Sequence, residues 1–206
     1  MPLTDDVPVK RRPRVRAAAT ELRRHQILTA AQEAFGESGY QGSSLRDIAS
    51  RAGITHQGLL HHFPDKTALL EAVLDHDLAD TATDHRLESG DSLEFFRGLM
   101  GVAERDVRDV ARMRMFYRLC AEATSPTNPA HGYYVRWFRE VRERLTSALQ
   151  DLAERGRYHG SVPPEVAALH LSAVREGLTL QFLLEPDAVD LAAEVRAHLA
   201  LYADIG

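Results

Sequence analysis

From Thr20 the chain takes up a helical rhythm, with Leu22, Ile27, Ala30, Ala31, Ala34 and Phe35 on one face. Gly36 weakens this predicted helix, and Gly39 ends it as a left-handed residue past the last turn. A short second helix opens at Gly42-Ser43-Ser44, where Ser44 and Asp47 have the spacing of a capping box and Leu45, Ile48 and Ala49 face inward. Gly53 ends it. Only Gly53-Ile54 separates it from Thr55, which caps a third helix that Pro64 stops by pushing Phe63 out of the α region. Asp65 caps a fourth helix over 66–83, with Leu69, Leu70, Val73 and Leu74 inward. Further helices are predicted over 92–109, 112–123, 132–155, 164–184 and 188–202, with breaks at Gly90, over 125–129, over 156–164 and at Glu185-Pro186. No alternating strand pattern exceeds four residues. The fold class is therefore all-α, in three parts: a disordered arm over 1–19, a three-helix unit over 20–66 and a larger helical bundle over 67–206.

The second and third helices have the dimensions of a helix-turn-helix: a short helix, a tight turn bearing Gly, and a second helix able to enter a DNA major groove. Leu59 and Phe63, four apart, pack inward together. His56, Gln57, Leu60 and His61 are left on the outer face. Gln pairs with adenine, His and Thr exchange hydrogen bonds with base edges, and Leu60 can meet a thymine methyl. Lys66, at the next helix start, supplies a charge that positions the protein without specifying sequence. A helical hairpin inside a bundle is the plainer alternative, but this outer face is rich in hydrogen-bonding groups and carries no acid.

Charge strengthens the DNA reading. The 206 residues carry a net charge of −5, yet residues 1–66 hold 10 Lys/Arg against 7 Asp/Glu, and the remainder 15 against 23. Seven of those ten basic residues lie between Lys10 and Arg24. A basic end on an acidic body suits a chain with one nucleic-acid-facing end, although a solvated tail would look the same. No apolar run approaches the roughly 18 residues of a membrane span, and the basic N-terminus is followed by no signal-peptide core. The single Cys120 cannot form an internal disulfide and fits a reduced, cytoplasmic setting as a small buried hydrophobe.

The run Ser43-Ser44-Leu45-Arg46-Asp47-Ile48-Ala49-Ser50-Arg51-Ala52-Gly53-Ile54-Thr55, continued by Gly58-Leu59-Leu60-His61-His62-Phe63-Pro64-Asp65-Lys66-Thr67-Ala68-Leu69-Leu70, resembles the DNA-binding domain of the TetR family. Ile27-Leu28-Thr29-Ala30-Ala31 and Phe35-Gly36-Glu37-Ser38-Gly39-Tyr40 are similar to that family's first helix. Residues 20–70 carry the resemblance most specifically. More loosely, Arg175-Glu176-Gly177-Leu178-Thr179-Leu180 through Pro186 looks like its penultimate helix. The resemblance implies a homodimer that binds a short palindromic double-stranded operator and is released by a small molecule in the bundle. It also implies base contacts from His56, Gln57 and Leu60 and phosphate contacts from Thr55, His62 and Lys66, which with Ser44 and His61 complete the expected DNA-facing set. A Tyr frequent in the last turn of the family's third helix is replaced here by Leu60 and His61, so base preference does not carry over. Repressor is the expected role; an activator on the same fold would read alike.

In the bundle, Met113, Phe116, Tyr117, Cys120, Tyr134 and Trp137 gather on two neighbouring predicted helices, as flexible and aromatic side chains lining an adaptable, largely apolar effector pocket would. A packed core would select the same residues. Arg114 and Arg118 could meet an anionic ligand or face solvent. Leu171, Val174, Leu178 and Phe182, with Leu191, Val195 and Leu199, form two stripes expected to make a four-helix dimer interface. The helix from Lys66 is the expected lever between head and pocket. No cofactor or metal is expected: the ten histidines show no ligand spacing with a carboxylate on one face. Neither a nucleophile elbow nor a phosphate loop suggests an enzyme.

Overall fold

The computed structural model describes residues 13–84 and 90–205. Among them the helices are α1 (Pro13–Gly42), α2 (Leu45–Arg51), α3 (His56–His62), α4 (Lys66–Asp84), α5 (Ser92–Arg108), α6 (Val110–Glu122), α7 (His131–Glu154), α8 (Pro164–Leu184) and α9 (Leu191–Leu199). The only β pairing among the described residues is one isolated bridge, Tyr158 to Ala203. Helix α1 begins at Pro13, so residues 13–19 of the expected arm are helical; proline is well tolerated in a first turn, where its missing N–H has no partner to lose. The rest of that arm, including Lys10, Arg11 and Arg12, lies outside the described residues.

Gly39 does interrupt α1, with φ 71° and ψ −178°. That is not the left-handed helical cap expected but an extended positive-φ conformation open essentially to glycine alone. At the other end of the chain, α9 is shorter than the predicted 188–202. Asp190 accepts the Ala193 N–H (3.1 Å) and so starts the helix late. After α9, the Tyr202 carbonyl accepts the His159 N–H (2.8 Å), which draws the chain into the bridge. Between α5 and α6 the predicted gap shrinks to Asp109, which ends one helix and caps the next by accepting the Arg112 N–H (3.1 Å).

Two hydrophobic cores result. One encloses Ile27, Phe35, Ile48, Leu59, Phe63 and the α4 residues Leu69, Leu70, Val73 and Leu74, and it continues into Met115, Leu119 and Tyr134 of α6 and α7. The expected boundary at 66/67 therefore cuts through a continuous core. The other core joins α5, the C-terminal half of α7, α8 and α9 around Phe96, Leu149, Leu152 and Ala168. Helix α6 contributes to both.

Candidate DNA interface and ligand cavity

The turn that sets α3 against α2 follows from local chemistry. Ser44 caps α2 by accepting the Asp47 N–H (3.2 Å). The capping box is only half formed, because Asp47 gives its carboxylate to Arg51 Nε (2.9 Å) instead of the Ser44 N–H. Arg51 also pairs with Glu37 of α1 (2.7 Å), whose carboxyl it holds below its ordinary pKa through the hydrogen bond and charge. Gly53 takes φ 65°. Thr55 then caps α3, accepting the Gly58 N–H (3.0 Å).

Within α3 only Leu59 is fully buried. Gln57 and His61 are exposed, as are the caps Ser44 and Thr55, while His56, Leu60 and His62 are half-buried. His61 and His62 meet edge to face, 5.8 Å between centroids. These residues form one outward surface of hydrogen-bonding groups on the head.

Lys66 is put to a different use from the expected phosphate contact. Its ammonium donates to the Ser43 carbonyl (2.8 Å) and lies 4.4 Å from the centre of the Tyr40 ring. Burial lowers its pKa, against the opposing pull of Glu122. It is a brace inside the head.

A cavity of about 140 Å³ opens in the bundle between α5, α6, α7, α8 and α9, with Asp77 of α4 at its edge. Met113, Phe116, Tyr117 and Trp137 line it as expected, with Phe95, Leu99, Val141, Leu145 and others. The Phe116 and Trp137 rings stack edge-on at 4.9 Å. Cys120 and Tyr134 do not line it. Cys120 packs on the head core, where burial pushes its thiol up to about 11, so it is a neutral side chain. Tyr134 is buried in the same core and donates its hydroxyl to the Phe116 carbonyl (2.9 Å). Each lies about one turn along its helix from the cavity residues Phe116 and Trp137, on the head side, and the Tyr134 ring stands 5.1 Å from that of Phe116.

One wall of the cavity holds a chain of charges that the sequence reading missed. Arg112 Nη1 donates to both Asp77 oxygens (3.0 and 3.1 Å), and its Nη2 donates to Asp106. Arg175 bonds the other Asp106 oxygen (2.7 Å) and Glu176 (3.0 Å), and Glu176 accepts the Tyr117 hydroxyl. Arg112 Nε is buried without a hydrogen-bond partner. Burial pushes the Asp77 carboxyl up despite Arg112. The carboxylates nevertheless keep Arg112 and Arg175 charged against the pull of burial. Burial also raises the Tyr117 pKa, and Glu176 adds to the rise, so the phenol stays a donor. Asp106 was detectable: it falls three and four residues after Ala103 and Val102, on the buried face of α5. Of the two arginines named as anion partners instead, Arg114 is exposed and Arg118 donates to the Glu37 carbonyl.

The expected dimer residues also lie elsewhere than foreseen. Leu171, Phe182, Leu191, Val195 and Leu199 are buried in the chain's own core, and Val174 and Leu178 are half-buried. Helix α8 is apolar on more than one side, and the exposed side carries Leu169, Ala173, Gly177, Leu180 and Leu184. Leu169 is 52% exposed, Leu180 50% and Leu184 78%.

A capped helix-turn-helix joined to a helical bundle with an internal cavity is the architecture of a DNA-binding regulator. Residues 27–73 match the family model for bacterial regulatory proteins of the tetR family, and residues 98–204 that for the C-terminal part of BetI-type transcriptional repressors. The HTH-type transcriptional regulator TtgR of Pseudomonas putida is 31% identical over 180 residues, spanning 84% of this chain and 85% of TtgR. BetI of Burkholderia lata is 28% identical, over 86% and 91%. Among solved structures, a complex of SmeT with triclosan shares the fold with a TM-score of 0.75 at 22% identity, over 90% of this chain and 93% of that one. The chain belongs to the tetR family of bacterial regulatory proteins. Among the described residues, no helix is long and apolar enough to cross a membrane.

Proposed function

We propose that this chain is a cytoplasmic repressor that reads a palindromic operator through the outer face of α3 and lets go when a small, largely apolar molecule fills the bundle cavity. The observation that carries the reading is α3 itself. It buries Leu59 and presents Gln57 and His61 to solvent, on a helix whose entry is fixed by Gly53 and Thr55. His56, Gln57 and Leu60 are the base readers. Ser44 and Thr55, at the N-termini of α2 and α3, suit phosphate contact, and His62 at the far end of α3 reaches the backbone through its imidazole. Relatives named as transcriptional regulators and repressors, and SmeT described with triclosan, support the ligand-controlled part.

The paired heads that a palindrome needs come from dimerisation across the exposed side of α8. Leu169, Ala173, Gly177, Leu180 and Leu184 are spaced to share one helix face, and small residues at its centre allow close approach. The test is fluorescence anisotropy on duplexes drawn from the region upstream of the protein's own gene. Two chains should bind per palindromic site, with affinity falling steeply as salt rises. Gln57→Ala should relax base preference at one position per half-site by about 1–3 kcal/mol. Weak binding that is independent of sequence in the unmodified protein would sink the operator reading.

A further inference from the structure

We propose that Glu122, the last residue of α6, is the positioning residue that transmits the state of the cavity to the helix-turn-helix. This rests on the reading that the cavity takes the effector. Helix α6 has one end in each part of the molecule. Arg112, Met113, Phe116 and Tyr117 line the cavity, while Met115, Leu119 and Ala123 pack in the core of the head. From Phe116 to Glu122 the helix advances about 9 Å. Helix α6 as a whole packs on α1 more extensively than any other two helices pack together among the described residues. The helices touch at Gly36, where an added Cβ would sit in ordinary van der Waals contact, 3.5 Å from the Ala111 carbonyl and from the Met115 Cβ.

At its far end α6 holds the last turn of α1, just past the break at Gly39. The Tyr40 N–H donates to both Glu122 oxygens (3.2 and 3.1 Å), and the Gln41 N–H reaches one of them (3.4 Å). An acid at a helix C-terminus opposes the helix dipole, so this carboxylate needs compensation from outside its own helix. The Tyr40 and Gln41 amides supply it, with the Lys66 ammonium acting at longer range. The clamped turn is in turn tied to its neighbours. The Tyr40 hydroxyl hydrogen-bonds Thr67 (3.1 Å), and Lys66 joins the Tyr40 ring to the Ser43 carbonyl, one residue before the cap of α2. Gly39 completes the fit, since a Cβ there would overlap the Glu122 carboxylate. An axial or rolling displacement of α6 caused by a guest beside Phe116 and Tyr117 therefore pulls on the backbone that orients α2 and α3. Helix α4, by contrast, gives the cavity lining only Asp77 among the described residues.

The test uses the full chain and two readouts. Glu122→Ala preserves helix propensity, and Glu122→Gln keeps one acceptor oxygen. Native-state hydrogen exchange should show the Tyr40 and Gln41 amides exchanging at least about tenfold faster in Glu122→Ala, with Glu122→Gln in between. Cavity-filling substitutions, Val141→Trp or Leu99→Trp, stand in for the unidentified effector. Each should weaken binding to the upstream duplex at least about fivefold in the wild-type background and less than about twofold with Glu122→Ala. Unchanged exchange at Tyr40 and Gln41 overturns the clamp. An equal penalty from cavity filling in both backgrounds, nil included, overturns transmission through Glu122. If the unmodified protein binds no duplex, the regulator reading fails by itself, and exchange still decides the clamp.

Discussion

Beneath the helix-turn-helix the buried side chains Ile27, Phe35, Ile48, Leu59 and Leu69 are apolar, whereas the buried carboxylates among the described residues, Asp77 and Asp106, stand at the bundle cavity with Arg112 and Arg175. In the head, polar groups are spent at the surface on ends and turns. Ser44, Thr55 and Asp65 cap helices, and Lys66 braces a carbonyl. In the bundle, charges replace apolar filling beside a cavity, and each depends on the next for its solvation. A dry core holds a reading surface in one geometry. An ionic wall beside a void leaves a place where a guest can change the balance, because low local polarity makes each pairing matter more.

Four measurements test this contrast. The largest effect should come from Arg175→Ala, which strips Asp106 and Glu176 of a shared buried cation and should cost about 3–5 kcal/mol in urea unfolding. A loss below about 1 kcal/mol would mean that the chain of charges is solvated and the contrast false. Leu59→Ala should cost about 3 kcal/mol by the same assay through the cavity it leaves in the head. Thr55→Ala should cost about 1 kcal/mol by removing the α3 cap, with Thr55→Ser close to wild type. The smallest effect concerns His198 in the bundle, whose pKa burial and the neighbouring His170 lower from 6.5. The folded chain then binds this proton less readily than the unfolded chain. The stability it contributes is full above the ordinary value and is lost as pH falls from about 6.5 toward its lowered pKa. Melting temperatures followed from about pH 7 to about pH 5 should fall less steeply in His198→Gln than in wild type.

The parts legible in the sequence are those governed by near neighbours. Ser44, Gly53, Thr55 and Pro64 each act within a few residues, so the helix-turn-helix could be placed before the structure, and α8 spans the predicted 164–184. Gly39 was legible as a break but not as a fit to Glu122, which lies 83 residues further along. The charge chain was hidden for the same reason: Asp77, Asp106, Arg112 and Arg175 come from four helices. For α8, periodicity shows that it is apolar on several sides but not which side its own bundle takes. The inward residues Leu171 and Phe182 were therefore expected to face a partner, and the outward Leu169, Leu180 and Leu184 were passed over. Cys120 and Tyr134 failed as cavity residues because each lies a turn along from Phe116 or Trp137, where the head core takes the place of the cavity.

The ionic wall has a consequence for inheritance. Asp106 answers two arginines, Arg112 two aspartates and Arg175 two acids, so one substitution among them leaves a neighbour stranded. The apolar lining at Leu99, Val141 and Leu145 is under no such mutual obligation and can change one codon at a time. Descendants of this chain are thus free to acquire new effector preferences by reshaping that lining, while the charges behind it pass on as a block.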